Sequence, residues 1–505
     1  MLKPAEEAHW TKRSAAHFLN RAGFGGNPGQ IDQLHAMGRG KAVDYLLSDT
    51  DDADKFPEPE WTAPGAVEEM RRDFMQIRRI NNDQSLSPEE RDMARREAQR
   101  KQRLQQRKMT QESIGLWLNR MLSSQAQTLE KMTLFWHGHF ATSVQKVKSP
   151  LLMHQQNALF RRQALGNFKA LTHEICEDPA MMLYLDTDKN VKGQPNENFA
   201  RELLELFTLG EGSGYTETDI AEAARAFTGY QLNRFAGKPT FVPKKHDHGE
   251  KTFMGKSGAF KQDDIVDVVF GTPRCAEFMV AKIWEFFAYE TPSDEIVLPL
   301  AKQFRESGYE IKPLLRTIFL SEAFNSAEAL RTQIKSPVQF IVQMTRELEL
   351  PKVPPRIAEN AMEQLGQVLY NPPNVAGWEG GRSWINTNTL LTRYNIAGFL
   401  LTGDVVGKDR NDKKMKMRER LKERKNAQMR KSVVPFDRLV PLDLRADLAA
   451  LIAALTERFF HADLPDKDLA KFRDYAKSKE SKRFTDQEVG ELIHLMMSTP
   501  QYQLA

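Results

Sequence analysis

The chain has 505 residues, with 72 Lys and Arg against 68 Asp and Glu for a formal charge of +4, so overall charge selects no class of partner. The length exceeds one ordinary core and predicts roughly two to four packed units. Cys176 and Cys275 are the only cysteines and form no C-x-x-C pair, which excludes a disulfide framework and a cysteine-rich zinc site.

In chain order, residues 11–50 read as helix, turn, helix. The Gly23, Gly25 and Gly26 cluster lacks the strand and spacing of a dinucleotide or phosphate loop. Residues 67–121 are strongly helical and charged. They break before Ser87-Pro88-Glu89-Glu90, which supplies an N-cap, a first-turn proline and a capping-box glutamate, so a charged helical hairpin is predicted. From Arg95 to Lys108 seven basic residues face only Glu97. Such a run suits an anionic polymer or lipid, or is a solvated helix face. With no aromatic interleaved, bases have no stacking platform and nucleic acid is disfavoured.

Phe135-Trp136-His137-Gly138-His139-Phe140 places two imidazoles two residues apart among aromatics. On a strand His137 and His139 could ligate one metal. On a helix they diverge by about 200°. The period Leu129, Met132, Thr133, Trp136, Phe140 predicts a helix weakened near Gly138, with Glu130 and His137 on one face and His139 at the exit. Histidines bonded to backbone in a core are the alternative.

The run from Pro195 to Gly210 reads as a capped helix, with Asn196 as cap, Glu197 near the positive end and Gly210 turning the chain out. At 100° per residue Phe199, Leu203, Leu206 and Phe207 share one side. Asn198, Arg201, Glu202 and Glu205 crowd the other. Two carboxylates one turn apart can hold a hard cation or divide acid and base roles, and a solvated face is the alternative.

A helix follows from Thr216 toward Gly229. The region 235–258 reads as a loop or short hairpin, and within it His246, Asp247 and Gly249 could complete a metal shell or bind an anionic group, with a solvent-exposed loop as the alternative. Helical periods return at 263–270, 273–288 and 296–307. Residues 371–386 form a Pro- and Gly-shaped loop presenting Trp378, Arg382 and Trp384, which suits a sugar or a loop pinned by buried tryptophans. A second basic stretch, 408–431, reads as an excursion before helices at 442–460 and 486–497. No G-x-S-x-G elbow, Walker loop, H-E-x-x-H helix or kinase set occurs, so serine-hydrolase and nucleoside-triphosphatase readings are disfavoured.

The fold class is therefore mainly α, a multi-helix globular bundle with a charged hairpin insertion and few short strands. The expected segments are 1–66, 67–121, 122–404, a basic linker at 405–432, and 433–505. No apolar run is long enough to cross a bilayer and no signal-peptide core is visible. A soluble chain is expected, cytoplasmic as written and periplasmic or exported if a leader has been removed.

Ala16-His17-Phe18-Leu19-Asn20-Arg21-Ala22-Gly23-Phe24-Gly25, the His137 and Glu202 motifs, Tyr215 to Gly229, His246 to Gly255, Lys335-Ser336-Pro337, Pro372 to Trp378 and the ending around Tyr502 together resemble the domain-of-unknown-function 1800 family of bacteria. The resemblance spans nearly the whole chain and implies no particular reaction. It implies a context of export and of genes beside a sulfatase- and phosphatase-like family, which makes a protein of that kind a candidate partner. The chain departs from that context by showing no leader.

The function expected from these residues is metal-dependent hydrolysis of a polar, envelope- or carbohydrate-related substrate. His137, His139, His246 and Asp247 would hold a divalent metal, and Glu202, Glu205 and Arg201 would carry the chemistry. Asn198, Lys251, Trp378, Arg382 and Trp384 would contact substrate. The rival expectation is a non-catalytic protein that binds a glycan or a partner protein.

Overall fold

The computed structural model describes residues 2–48, 55–83, 85–233, 238–353, 355–402, 434–479 and 481–505. The expected linker at 405–432 and the basic stretch 408–431 lie outside them. Among the described residues the chain is mainly α-helical, with two small antiparallel sheets of two strands each. Strand β1 (Tyr230–Leu232) pairs with β2 (Pro239–Phe241), and β3 (Lys251–Phe253) with β4 (Lys256–Gly258). The turn between β3 and β4 uses Met254 and Gly255, both at positive φ, as a tight hairpin requires. No helix among the described residues is long and apolar enough to cross a membrane.

The chain forms two compact units. One is built on Leu47–Ile318 and Leu369–Trp378; the other comprises Pro4–Leu46, Phe319–Val368 and Glu379–Ala505. In the second unit Thr11 and Ser14 form a capping box on helix Lys12–Ala22, and Gly25 at φ 79° makes the following turn. Ser336 caps helix Pro337–Glu347, all of it buried. On that helix Glu347 accepts hydrogen bonds from Tyr502 Oη at 2.6 Å and Gln343 Nε2 at 2.7 Å. The Lys335 ammonium rests over the Tyr502 ring, 3.8 Å from its centroid.

The first unit is organised around helix Gln127–His139, which runs through Gly138 without breaking. Glu130 and His137 do share a face, and Trp117, from helix Pro88–Ser123, covers it. The Trp117 indole N–H donates to Glu130 at 2.9 Å, and its ring meets His137 edge-on at 5.4 Å. Arg161, on helix Pro150–Arg162, donates twice to Glu130, at 2.7 and 3.1 Å. With Glu130 only 1% exposed, both oxygens of a fully buried carboxylate are satisfied, so the pair is tolerated inside the core.

The segment Leu369–Trp378 closes over the exit of this helix. The backbone N–H of Tyr370 donates to His137 Nε2 at 2.9 Å, and its carbonyl accepts from Val144 at 2.9 Å. These bonds hold Tyr370 at φ 62°, a left-handed conformation that a bulky side chain rarely adopts. Gly377, at φ 82°, lies so close to the helix that a Cβ there would stand 2.2 Å from the Gly138 carbonyl.

Two outcomes follow from this packing. Glu130→Ala leaves a buried guanidinium without its counter-charge and is expected to destabilise the first unit by about 3–5 kcal/mol in chemical denaturation. Gly193 shares the backbone angle of Gly377, at φ 83°, but has open space around it. Gly193→Ala therefore reports the backbone term alone, about 1–2 kcal/mol, and Gly377→Ala is expected to lower Tm by clearly more. Equal losses would show that the close approach to Gly138 does not matter.

Candidate functional site

In the motif at 195–210 the helix starts one residue later than expected, with Glu197 at the N-cap and no side-chain cap, and its interior is not the expected α-helix. Asn196, held by Asn190, accepts from the Asn198 backbone N–H at 3.0 Å, and a single α-turn covers Asn198–Glu202. From Leu203 to Thr208 the chain is a π-helix, and Leu209 N–H bonds back five residues to the Leu204 carbonyl at 3.0 Å. Gly210, at φ 91°, then releases the chain. A π-turn is wider and less favourable than an α-turn, so it persists where outside contacts over-determine it, and such turns occur often at functional sites.

Three donors from other helices supply those contacts. His139 Nε2 donates to the Phe207 carbonyl at 3.0 Å, Arg274 Nε to the Leu209 carbonyl at 2.8 Å, and Lys282 Nζ to the Leu206 carbonyl at 3.4 Å. Burial lowers the Lys282 pKa to about 8 and holds the His139 ring well below its ordinary range, so His139 is a neutral donor here. The two-histidine motif and the carboxylate motif thus meet, with His139 bonded to the backbone of the turn that carries Glu205.

On that backbone the charged side chains separate into two environments. Arg201 is clamped by three carboxylates, Glu205 at 3.1 Å, Glu197 at 3.3 Å and Glu217 at 2.7 Å. Glu202 is half-buried and makes no ion pair or hydrogen bond among the described residues. Its pKa is raised, first by burial and then by the neighbouring Glu205, with Arg201 opposing. Tyr184 is beside Glu202 and Tyr215 beside Glu205, and burial with these charges raises both phenol pKa values. Tyr184 ends the short helix Pro179–Tyr184, capped by Asp178 through the Met181 N–H at 2.8 Å. Lys146 Nζ lies 5.4 Å from the centroid of the Tyr184 ring and pairs with Asp186 at 3.0 Å. Asn198 is exposed at the start of the turn Asn198–Glu202.

The other expected site residues have different surroundings. His137 Nε2 accepts the Tyr370 N–H, and burial lowers its pKa to about 3. His246 is buried with Nδ1 2.9 Å from the Thr228 carbonyl. Asp247 accepts from Arg225 at 2.8 and 3.3 Å and from the Gly249 N–H at 2.8 Å, and Arg225 is the first cause that holds its pKa down at about 2. Lys251 turns inward and donates to the Asp247 and Gly249 carbonyls at 2.6 and 3.0 Å, pinning the loop rather than facing outward. Trp378 is half-buried with its ring 5.5 Å from His137. Arg382 and Trp384 belong to the second unit, the first exposed and the second buried.

Among the described residues no group of three or more His, Cys, Asp or Glu is placed to hold a metal ion. His137, His139, His246 and Asp247 each spend a ligating atom on a backbone group or an arginine. They do not form the shared donor set expected of a divalent metal site. Tyr184, Tyr215, Arg274 and Lys282 were not singled out in the sequence. Each reaches the site through tertiary packing, and only Tyr215 lies within a motif of the family resemblance.

No curated protein and no solved structure matches the chain. A family model described as "Protein of unknown function (DUF1800)" matches residues 17–504. That span takes in the His17, His137, Glu202, His246 and Trp378 motifs, and the chain belongs to the DUF1800 family.

Proposed function

We propose that the chain is a hydrolase of a polar, carbohydrate-related substrate, with Glu202 and Glu205 as its proton-transfer pair. The observation that carries this reading is the contrast between two carboxylates one turn apart. Glu202 is half-buried, unpaired and shifted toward its protonated form, whereas Glu205 is ion-paired with Arg201. Carboxyl groups whose environments pull them apart in this way can divide the roles of acid and base. Glu202 donates its proton to the leaving oxygen, and Glu205 attacks or activates water as the carboxylate partner. Asn198 adds an exposed amide at the start of the same turn, which suits a hydroxylated substrate. No step is routed through a metal, because among the described residues no group of three or more His, Cys, Asp or Glu is placed to hold one.

A second reading, a non-catalytic binding or assembly protein, draws on Arg201. A guanidinium shared by Glu197, Glu205 and Glu217 acts as a structural tie, and the polar stripe then fixes the fold beneath a docking surface for a glycan or for a protein of the sulfatase- and phosphatase-like kind.

Hydrolysis of aryl glycosides with good and poor leaving groups, and of soluble polysaccharides, separates the two readings. Glu202→Gln is expected to cost about 10²–10⁴-fold, the scale of a lost general acid, and more on poor leaving groups. The wild-type rate falls with rising pH as Glu202 loses its proton. Because its pKa is raised, that limb sits above the ordinary carboxyl range. It vanishes in Glu202→Gln, and Glu205→Gln, which lacks the carboxylate partner, is expected to lose turnover as well. Full activity of Glu202→Gln would refute the catalytic assignment. Polysaccharide binding without turnover, unchanged in both variants, would favour the second reading.

A further inference from the structure

Away from these carboxylates, the charged hairpin of the first unit encloses a cavity of about 630 Å³ between helices Pro64–Asn82 and Pro88–Ser123, bounded at one end by residues 148–151. This volume falls within the range of small-molecule sites, about 300–1,000 Å³. Its floor is a single helix face. Met70, Phe74, Ile77 and Ile80 recur at intervals of four, three and three residues and so line up along helix Pro64–Asn82. Opposite them stand Ala94 and Ala98, whose side chains are too short to fill the gap, followed by Gln102 and Gln105, which are polar. The apolar row is consequently only half-buried although a second helix faces it. Met93 and Leu104, on the facing helix, are 73% and 61% exposed, which extends the apolar surface outward.

The lining carries three cations against two acids. Arg100, Lys101 and Lys148 border the cavity, all exposed, and none forms an ion pair among the described residues. Asp73 and Glu97 are the acids of the lining, so the cations are in excess. Nearby Arg95 and Arg96 are already paired with Asp92. Phe74 is the one aromatic in the lining, which leaves a chain of bases without successive platforms. An aliphatic trough bordered by cations without ion-pair partners among the described residues complements a molecule with an alkyl tail and a negative head.

We propose that this cavity binds a single-chain anionic amphiphile, with its alkyl chain along Met70, Phe74, Ile77 and Ile80 and its anionic head at Arg100, Lys101 and Lys148. The site is independent of the Glu202 pair, so each proposal can fail without the other.

The test uses the full chain and a fluorescent dansyl-labelled undecanoic acid below its micellar concentration, displaced by oleate. Saturable binding at one equivalent per chain is expected, with methyl oleate at least about tenfold weaker because it lacks the charge-assisted contact. Ile77→Glu puts a charge on the floor and is expected to abolish binding. Arg100→Glu combined with Lys101→Glu is expected to weaken oleate, but not methyl oleate, by about tenfold or more. Ala98→Trp fills the trough and is expected to block the probe while Tm holds, which guards against an Ile77→Glu chain that fails to fold. Absence of saturable binding, equal affinity for oleate and its methyl ester, undiminished binding by Ala98→Trp, or adsorption to anionic phospholipid vesicles without displacement by oleate would each overturn the proposal.

Discussion

The carboxylate of Glu130 is the constraint from which the first unit is built. Buried charge is costly, and here the cost is offset by two bonds from Arg161 and one from Trp117. Those three bonds fix helix Gln127–His139 against two neighbouring helices in one register. The same Trp117 then packs on His137, whose remaining lone pair receives the Tyr370 N–H and so docks the segment that ends at Trp378. Removing the carboxylate therefore loosens more than one contact, because each later contact presupposes the orientation of that helix.

The effect reaches the candidate site through His139, two residues beyond His137. Its bond to the Phe207 carbonyl, together with Arg274 and Lys282 on neighbouring carbonyls, holds open a π-turn that the local sequence would not adopt unaided. The wider turn carries Glu205, paired with Arg201, and follows directly on the α-turn that carries Glu202, which has no ion-pair partner among the described residues. The backbone geometry of this segment is imposed from outside the motif, by His139, Arg274 and Lys282.

Features governed by local rules were legible in the sequence. Ser87 with Glu90 starts a helix, and the 100° period places Glu130 and His137 on one face. The family resemblance was legible as well, because the motifs occur in order along nearly the whole chain. The π-turn was not, since its apolar pattern is that of an α-helix and its cause lies in residues 139, 274 and 282. A polar side chain in a motif also looks the same whether it waits for a ligand or is already used. Asp247 resembles a ligand until Arg225, 22 positions earlier, is seen to hold it. Lys251 resembles a substrate cation until its ammonium is found on two carbonyls of its own loop.

The central claim is that Glu202 keeps a proton where an ordinary carboxyl would have lost it. Carboxyl-edited infrared or carbon-13 NMR titration of glutamate-labelled protein, with Glu202→Gln used to assign the signal, measures this directly. A midpoint above the ordinary glutamate value, falling when Glu205 becomes glutamine, is the predicted result. A midpoint at or below that value, indifferent to Glu205, would contradict it.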